Sequence, residues 1–346
     1  MTLKAFPKIN LYLKIIGKDS SAYHLLESRF VLVKSGVHDE IHIEAIDSSK
    51  DEICGAFGCD AESSSIALAL RSLRARYDFP RVRIEVQKRI PIGAGLGGGS
   101  ADAGVVIKAL MEEFGLGAVE SGGANLDSRA LRGAESSADS SLDSRAKSGG
   151  ANLDSSARKT RSMIAKEVGA DVAFFVEGCE CAEVEGRGEV ITPLALARDD
   201  LREFEIYTPA IRCDTRAVYR QYAKMIESKE ITYSPKMRGA LGAGKIDSSK
   251  VDSGALDSDI LDFSALSNRE ILSIAQKQGD APSVLNALND LFLPASVLYP
   301  ELLDVKKELG DGWYFSGSGS SFFRPMLESK SAPATPESKS APKACL

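Results

Sequence analysis

Five glycines, at positions 93, 95, 97, 98 and 99, fall within the segment Pro91-Ile-Gly-Ala-Gly-Leu-Gly-Gly-Gly-Ser-Ala-Asp102. Such a backbone can turn several N–H groups toward one point, because glycine reaches conformations closed to other residues. The segment follows a strand predicted at Val82 to Val86 and precedes an apolar helical repeat of Val105, Val106, Ala109, Leu110 and Phe114. The positive end of that helix adds to the field, and Ser100 or Asp102 can cap it. This chemistry favours a phosphate; a strand-to-helix turn without a ligand is the plainer alternative. Gly93, Gly95 and Gly98 also satisfy the G-x-G-x-x-G spacing of dinucleotide-binding units. The second parallel strand with an acidic end, which such a unit needs, is replaced by Gly115, Gly117 and a low-complexity stretch. No Lys-Ser or Lys-Thr follows the glycines, which excludes a Walker A loop, and the partner motifs of a protein-kinase loop are missing.

The elements around this loop alternate strands and helices. Ile9, Leu11, Leu13 and Ile15 alternate with Asn10, Tyr12 and Lys14, predicting a half-buried strand opened by Lys8. Further strands are predicted at Glu27 to Val33 and at Asp39 to Ala45, with Ile41, Ile43 and Ala45 inward, and a helix at Ser65 to Tyr77. From Gly117 to Lys159 the composition turns to Ser, Gly, Ala and Asp, with SGGANLDSRA at Ser121 echoed by SGGANLDSSA at Ser148. Two short polar copies cannot stack into a solenoid, so a mobile insertion is predicted. Ser234 to about Ser264 and a tail repeating ESKSAP at Glu328 and Glu337 read as linker or disorder. Helices at Ser283 to Leu293 and Leu298 to Leu309 are predicted to pack on strands near Phe204 and Trp313.

The chain has 346 residues, with Lys+Arg 43 against Asp+Glu 49 for a net charge of −6, 43% hydrophobic and 27% charged. That composition fits a soluble protein of about two domains and points to neither nucleic acid nor membrane as a partner. Lys4, Lys8, Asn10 and Lys14 interrupt the first apolar pattern, so a cytoplasmic location is expected. The six scattered cysteines read as reduced thiols, and with Cys345 penultimate no prenylation is expected. His38 and His42 followed by Cys54 and Cys59 raise the question of zinc, but the two pairs lie on separate segments and His42 fits an outward strand position.

Four other short motifs each have a plain explanation alone: Lys8-Ile-Asn-Leu as a strand end, Tyr23-His24 as core, Gly169-Ala-Asp171-Val as a turn cap, and Ser316-Gly-Ser-Gly-Ser320 as a hairpin between buried strands. Arranged in this order around the glycine loop, they resemble the three motifs of the GHMP kinase superfamily. PKINLYL, AYH, PIGAGLGGGSAD, GADVAFFVEG and SGSGSSFF resemble, within it, the branch that phosphorylates the 2-hydroxyl of 4-diphosphocytidyl-2-C-methyl-D-erythritol in the non-mevalonate isoprenoid route.

The resemblance implies an α+β, two-lobed GHMP-kinase-like fold, with a ribosomal-protein-S5-like N-terminal lobe and a ferredoxin-like C-terminal lobe. The lobes would span residues 1–180, with the 117–159 insertion, and 181–325, with an insertion at 234–264; residues 326–346 would be a tail. ATP and Mg²⁺ are the implied cofactors, and a cytidine diphosphate conjugate is the implied small-molecule partner. By motif, Lys8 and Asp171 would be the catalytic pair, with Asp171 as general base, and Asn10 a substrate contact. Tyr23 and His24 would hold the cytosine, and Thr215 and Tyr219 would close that pocket. Pro91, Ile92, Gly93, Ala94, Gly95, Leu96, Gly97, Gly98, Gly99, Ser100 and Ala101 would cradle the ATP phosphates, with Lys88 beside them. The metal ligands and the oligomeric state stay open. Two positions depart from the pattern: Ala22 stands where the family has glycine, and Ala101 where it has a second serine. Other readings are a homoserine- or mevalonate-type kinase, for which an aromatic base clamp serves no purpose, the decarboxylase branch, which would release carbon dioxide, and a nucleotide-binding regulator without turnover.

Overall fold

The computed structural model describes residues 1–117, 150–197, 200–201, 203–234, 263, 266–277 and 288–326, with the backbone alone for 150–157. Most of the two predicted insertions, the tail, and the predicted helical start at Ser283 lie outside the described residues.

Three sheets and eight helices make up the described fold. The first sheet takes β2 (Lys8–Lys18), β3 (His24–Leu32), β7 (Cys181–Gly186) and β8 (Val190–Pro193) in that order, all antiparallel. The second orders β1 (Thr2–Ala5), β4 (Asp39–Ala45), β6 (Val82–Gln87) and β5 (Glu52–Gly55). Here Ile41 and Ile43, then Val82, Ile84 and Val86, point inward as their alternation predicts, while Ala45 at the strand end is exposed. Helices α1 (Ser65–Arg74), α2 (Gly98–Glu113), α3 (Gly150–Val168) and α4 (Val172–Glu177) pack here, so Ile66, Leu70, Leu73, Val106, Leu110 and Phe174 share one core with these strands. Ser64 caps α1 by accepting from the Ala67 N–H. Helix α3 begins at Gly150, so the predicted insertion boundary at Lys159 falls inside a helix. Polar composition hid the helix, because periodicity reads only its apolar face.

A second core lies between the opposite face of the β2 sheet and the C-terminal elements: β9 (Phe204–Tyr207), α5 (Thr215–Glu227), α6 (Asn268–Lys277), α7 (Phe292–Leu298), α8 (Glu301–Leu309), β10 (Tyr314–Phe315) and β11 (Phe322–Pro325). β11 is the middle strand between β10 and β9, and Phe204, Phe292, Phe315, Phe322 and Phe323 meet Ile9, Leu11, Leu13 and Ile15. Among the described residues, no helix is long and apolar enough to cross a membrane.

Two expectations are corrected by this layering. β7 and β8 complete the N-terminal sheet through pairs such as Val31 with Cys181 and Leu26 with Gly186, so a lobe boundary at residue 180 would cut that sheet. β2 is not half-buried: every residue from Lys8 to Ile15 is buried, because both faces of its sheet are covered. Its polar alternates therefore carry partners, as burial without them would cost several kcal/mol. Lys8 meets Asn10 and Asp171, Lys14 meets Asp290, and the Tyr12 hydroxyl donates to Glu183. Glu183 also pairs with Arg29, whose guanidinium donates to the Phe263 and Leu266 carbonyls and to Asn268, tying sheet to C-terminal lobe.

Candidate active site

The glycine loop leads directly into an uncapped helix start. Gly93, Gly95 and Gly97 adopt φ of 71°, 74° and 69°, values that disfavour any side chain. Helix α2 starts at Gly98 with Gly97 as its N-cap, and no side chain caps it. The predicted capping by Ser100 or Asp102 is thereby corrected: both sit inside the helix, and the first-turn N–H groups keep their field for a ligand. The loop forms one wall of a cleft of about 380 Å³ that lies between the lobes and is lined by all the loop residues from Pro91 to Ser100. Ala101, expected in the same cradle, is fully buried in the N-terminal core instead.

Lys8, Asn10 and Asp171 meet at the cleft floor. The Lys8 ammonium donates to Asn10 Oδ1 at 2.6 Å, lies 3.4 Å from Asp171 Oδ2 and sits 4.3 Å from the centre of the Phe30 ring. Asn10 is held in turn by Ser28, and its backbone N–H donates to Ser316 Oγ. Asp171 precedes α4 in helical conformation, yet its carboxylate caps nothing and its side chain is one-third exposed to the cleft. Gly97 leaves room for this cluster, since a β-carbon there would sit 3.2 Å from Lys8 Cε.

Lys88 lines the same cleft but its charge is engaged inside the wall. Nζ donates to Asp39 and, at 2.7 Å, to Asp102. Asp39 is wholly buried and also accepts the Arg89 and Ile90 backbone N–H groups. Burial pushes the Asp102 carboxyl up to about 7 against the lowering pull of Lys88, and its Oδ1 is buried without a hydrogen-bond partner. This triad has no local signature, because Asp39 and Asp102 lie 49 and 14 positions from Lys88 and only the sheet and α2 bring them together.

At the other end, Thr215 and Tyr219 of α5 line the cleft, and Thr215 Oγ1 lies 2.8 Å from Ser318 Oγ in the Ser-Gly turn. His24 does not line the cleft but packs against its wall: its ring centre is 5.6 Å from Tyr219, 5.5 Å from Tyr222 and 6.5 Å from Tyr233. Burial, with Lys18 nearby, lowers the imidazole pKa and so favours the neutral ring, whose Nδ1 has no partner. Tyr23 stands outside at 60% exposure. The Ser-Gly turn, read from the sequence only as a motif, is part of the site: Gly317 and Ser318 line the cleft, and Ser321 N–H donates to Ala94 O. Asn289, which sequence reasoning missed, clamps this turn by donating to the Phe315 and Gly317 carbonyls. Phe57, Cys59 and Ser63 to Ile66 close the cleft beyond the loop and were also missed; they carry no motif.

Residues 64–143 match the N-terminal domain of the GHMP kinases. The chain is 31% identical to 4-diphosphocytidyl-2-C-methyl-D-erythritol kinase of Sulfurimonas denitrificans, over 93% of this chain and 95% of that one. It is 30% identical to the kinase of that name from Campylobacter jejuni subsp. jejuni, over 93% and 99%. A crystal structure of 4-(cytidine 5'-diphospho)-2C-methyl-D-erythritol kinase superposes with a TM-score of 0.54 at 25% identity, covering 95% of this chain and 90% of that one. Motifs, two-lobed α+β fold and whole-length similarity agree: the chain belongs to the 4-diphosphocytidyl-2-C-methyl-D-erythritol kinase family of GHMP kinases.

Proposed function

We propose that this protein is a cytoplasmic kinase that transfers the γ-phosphoryl group of ATP to the 2-hydroxyl of 4-diphosphocytidyl-2-C-methyl-D-erythritol, with Asp171 as general base. The observation that carries the reading is the buried Lys8 ammonium between Asn10 and an uncapped Asp171, beside the N-terminus of α2 in one cleft. Phosphoryl transfer passes through a loose transition state, so the protein's task is alignment and neutralisation of charge. The loop and first-turn N–H groups of α2 hold the β- and γ-phosphates. Lys8 keeps the Asp171 carboxylate turned toward the acceptor and neutralises the developing alkoxide, while Asp171 accepts the hydroxyl proton.

Among the described residues, no group of three or more His, Cys, Asp or Glu could hold a metal ion. The donor set therefore fits Mg²⁺ carried by the ATP phosphates, with the Ser100 hydroxyl as a protein oxygen, rather than a protein cage. When bound, the ion screens the phosphate charge. The aromatic group of His24, Tyr219, Tyr222 and Tyr233 beside the cleft supports a nucleobase at that end, with neutral His24 and exposed Tyr23 as its contacts.

The test is coupled ADP release with ATP and Mg²⁺ against the diphosphocytidyl substrate, homoserine and mevalonate. Turnover confined to the cytidine compound is expected. Asp171→Asn should lower kcat by about 10²- to 10⁴-fold with ATP binding retained; a near-normal kcat would remove Asp171 from the role.

A further inference from the structure

The turn between β7 and β8 carries Arg187 between Gly186 and Gly188, both at positive φ. Its guanidinium carbon lies 4.2 Å from the centre of the Tyr23 ring, over its face. The same guanidinium donates through Nε to Asp19 Oδ2 at 2.7 Å, and Nη2 pairs with that oxygen. Asp19 uses its other oxygen to accept the backbone N–H groups of Ser21 and Tyr23, at 2.8 and 3.0 Å. One carboxylate thus holds the Tyr23 backbone while aiming the arginine at the Tyr23 ring.

Tyr23 needs such a device. It is 60% exposed, no aromatic ring pairs with it among the described residues, and the Arg187 guanidinium covers one face of its ring. A planar, always-charged guanidinium suits the task, covering a ring face while keeping a carboxylate partner. The turn is also fixed at its far side: a β-carbon on Gly188 would meet Ala170 Cβ at 3.1 Å and lie 3.9 Å from Asp171 Oδ1. The turn that carries Arg187 therefore rests on the segment bearing the proposed base.

We infer that Arg187, oriented by Asp19, is a positioning residue that pre-organises Tyr23 for the nucleobase of the substrate; this rests on the proposed function above. Without it the ring loses its fixed direction, and the ordering falls on the binding step. The effect belongs to affinity for the cytidine substrate, since neither Arg187 nor Tyr23 lines the cleft where the phosphoryl group moves.

The test measures both substrates' KM and kcat for wild type, Tyr23→Ala, Arg187→Ala, Arg187→Lys and the double variant. Arg187→Ala is expected to raise KM for the cytidine substrate about two- to fivefold, the range of an exposed cation–ring contact, with kcat and ATP KM unchanged. Arg187→Lys should fall between, since an ammonium can reach Asp19 but covers the ring poorly. In the Tyr23→Ala background, Arg187→Ala should add nothing. An equal rise in both backgrounds would overturn the inference, because the arginine would then act on the substrate directly; so would a wild-type KM for Arg187→Ala. If Tyr23→Ala itself leaves KM unchanged, the nucleobase placement in the proposed function falls instead. Arg187 is 43% exposed at its side chain, so these variants are expected to fold, and their Tm should match wild type.

Discussion

Gly95→Ala should damage the protein more through its own fold than through its ligand. A β-carbon at Gly95 would lie 2.4 Å from the Ser316 carbonyl oxygen and about 3 Å from two backbone atoms of Gly319, none of which can swing aside. Relief requires the Ser-Gly turn to retreat by about 1 Å. That movement loosens three bonds: Ser321 N–H to Ala94 O, Ser316 Oγ to Gly95 O, and Asn10 N–H to Ser316 Oγ. At ~1 kcal/mol each, and with a further ~1–2 kcal/mol for a side chain at a φ of 74°, the loss is roughly 3–5 kcal/mol. In a chain of this size that corresponds to a Tm lower by about 5–10 °C. Urea unfolding and a thermal melt check the stability, and kcat reports the effect on Asn10. Gly99→Ala is the control, since Gly99 is helical and its nearest neighbour is the Ser65 hydroxyl at 3.3 Å; it should cost under ~1 kcal/mol. If Gly95→Ala melts within about 2 °C of wild type, the two loops do not dock as described and the cleft has another second wall.

Two further outcomes test the buried triad and the turn before β3. Burial holds the Asp102 carboxyl at about 7 while an unfolded one titrates near 4, so between those values the native state keeps a proton that the unfolded state releases. The contribution of Asp102 to stability therefore declines as pH rises from about 4 to 7; Asp102→Asn, leaving Lys88 paired with Asp39 alone, should gain on wild type between pH 5 and pH 8, and parallel stability curves would refute this. Ala22 sits at a φ of 63°, where a β-carbon costs ~1 kcal/mol, so Ala22→Gly should stabilise by about 0.5–1 kcal/mol in urea denaturation; a destabilising result would show that the methyl group of Ala22 is not strained in this turn.

The sequence by itself determined what local chemistry can encode. Strand β4, with Ile41 and Ile43 inward, and strand β6 were legible because side chains alternate across a pleated strand. The glycine loop was legible as a proposed phosphate site because few other reasons concentrate that many glycines before a helix. The order of Lys8, the loop, Asp171 and the Ser-Gly turn was enough to place the chain among the GHMP kinases.

What only the tertiary structure decided are the relations between segments far apart in the chain. Alternation along β2 predicts one wet face, yet both faces of its sheet are covered, and this turns Lys8, Asn10 and Lys14 from surface polar groups into buried ones that need partners. Asp39 and Lys88 meet across neighbouring strands, Asn289 reaches the Ser-Gly turn, and Arg187 reaches Tyr23 from a different hairpin. Local patterns record which face of an element is apolar; they do not record which other element will press against it, because that depends on the packing of the whole chain. Gly95 shows the difference at one residue: its type was read from the sequence as room for a phosphate, and the fold adds a second cause, the backbone of Ser316 lying where a side chain would be.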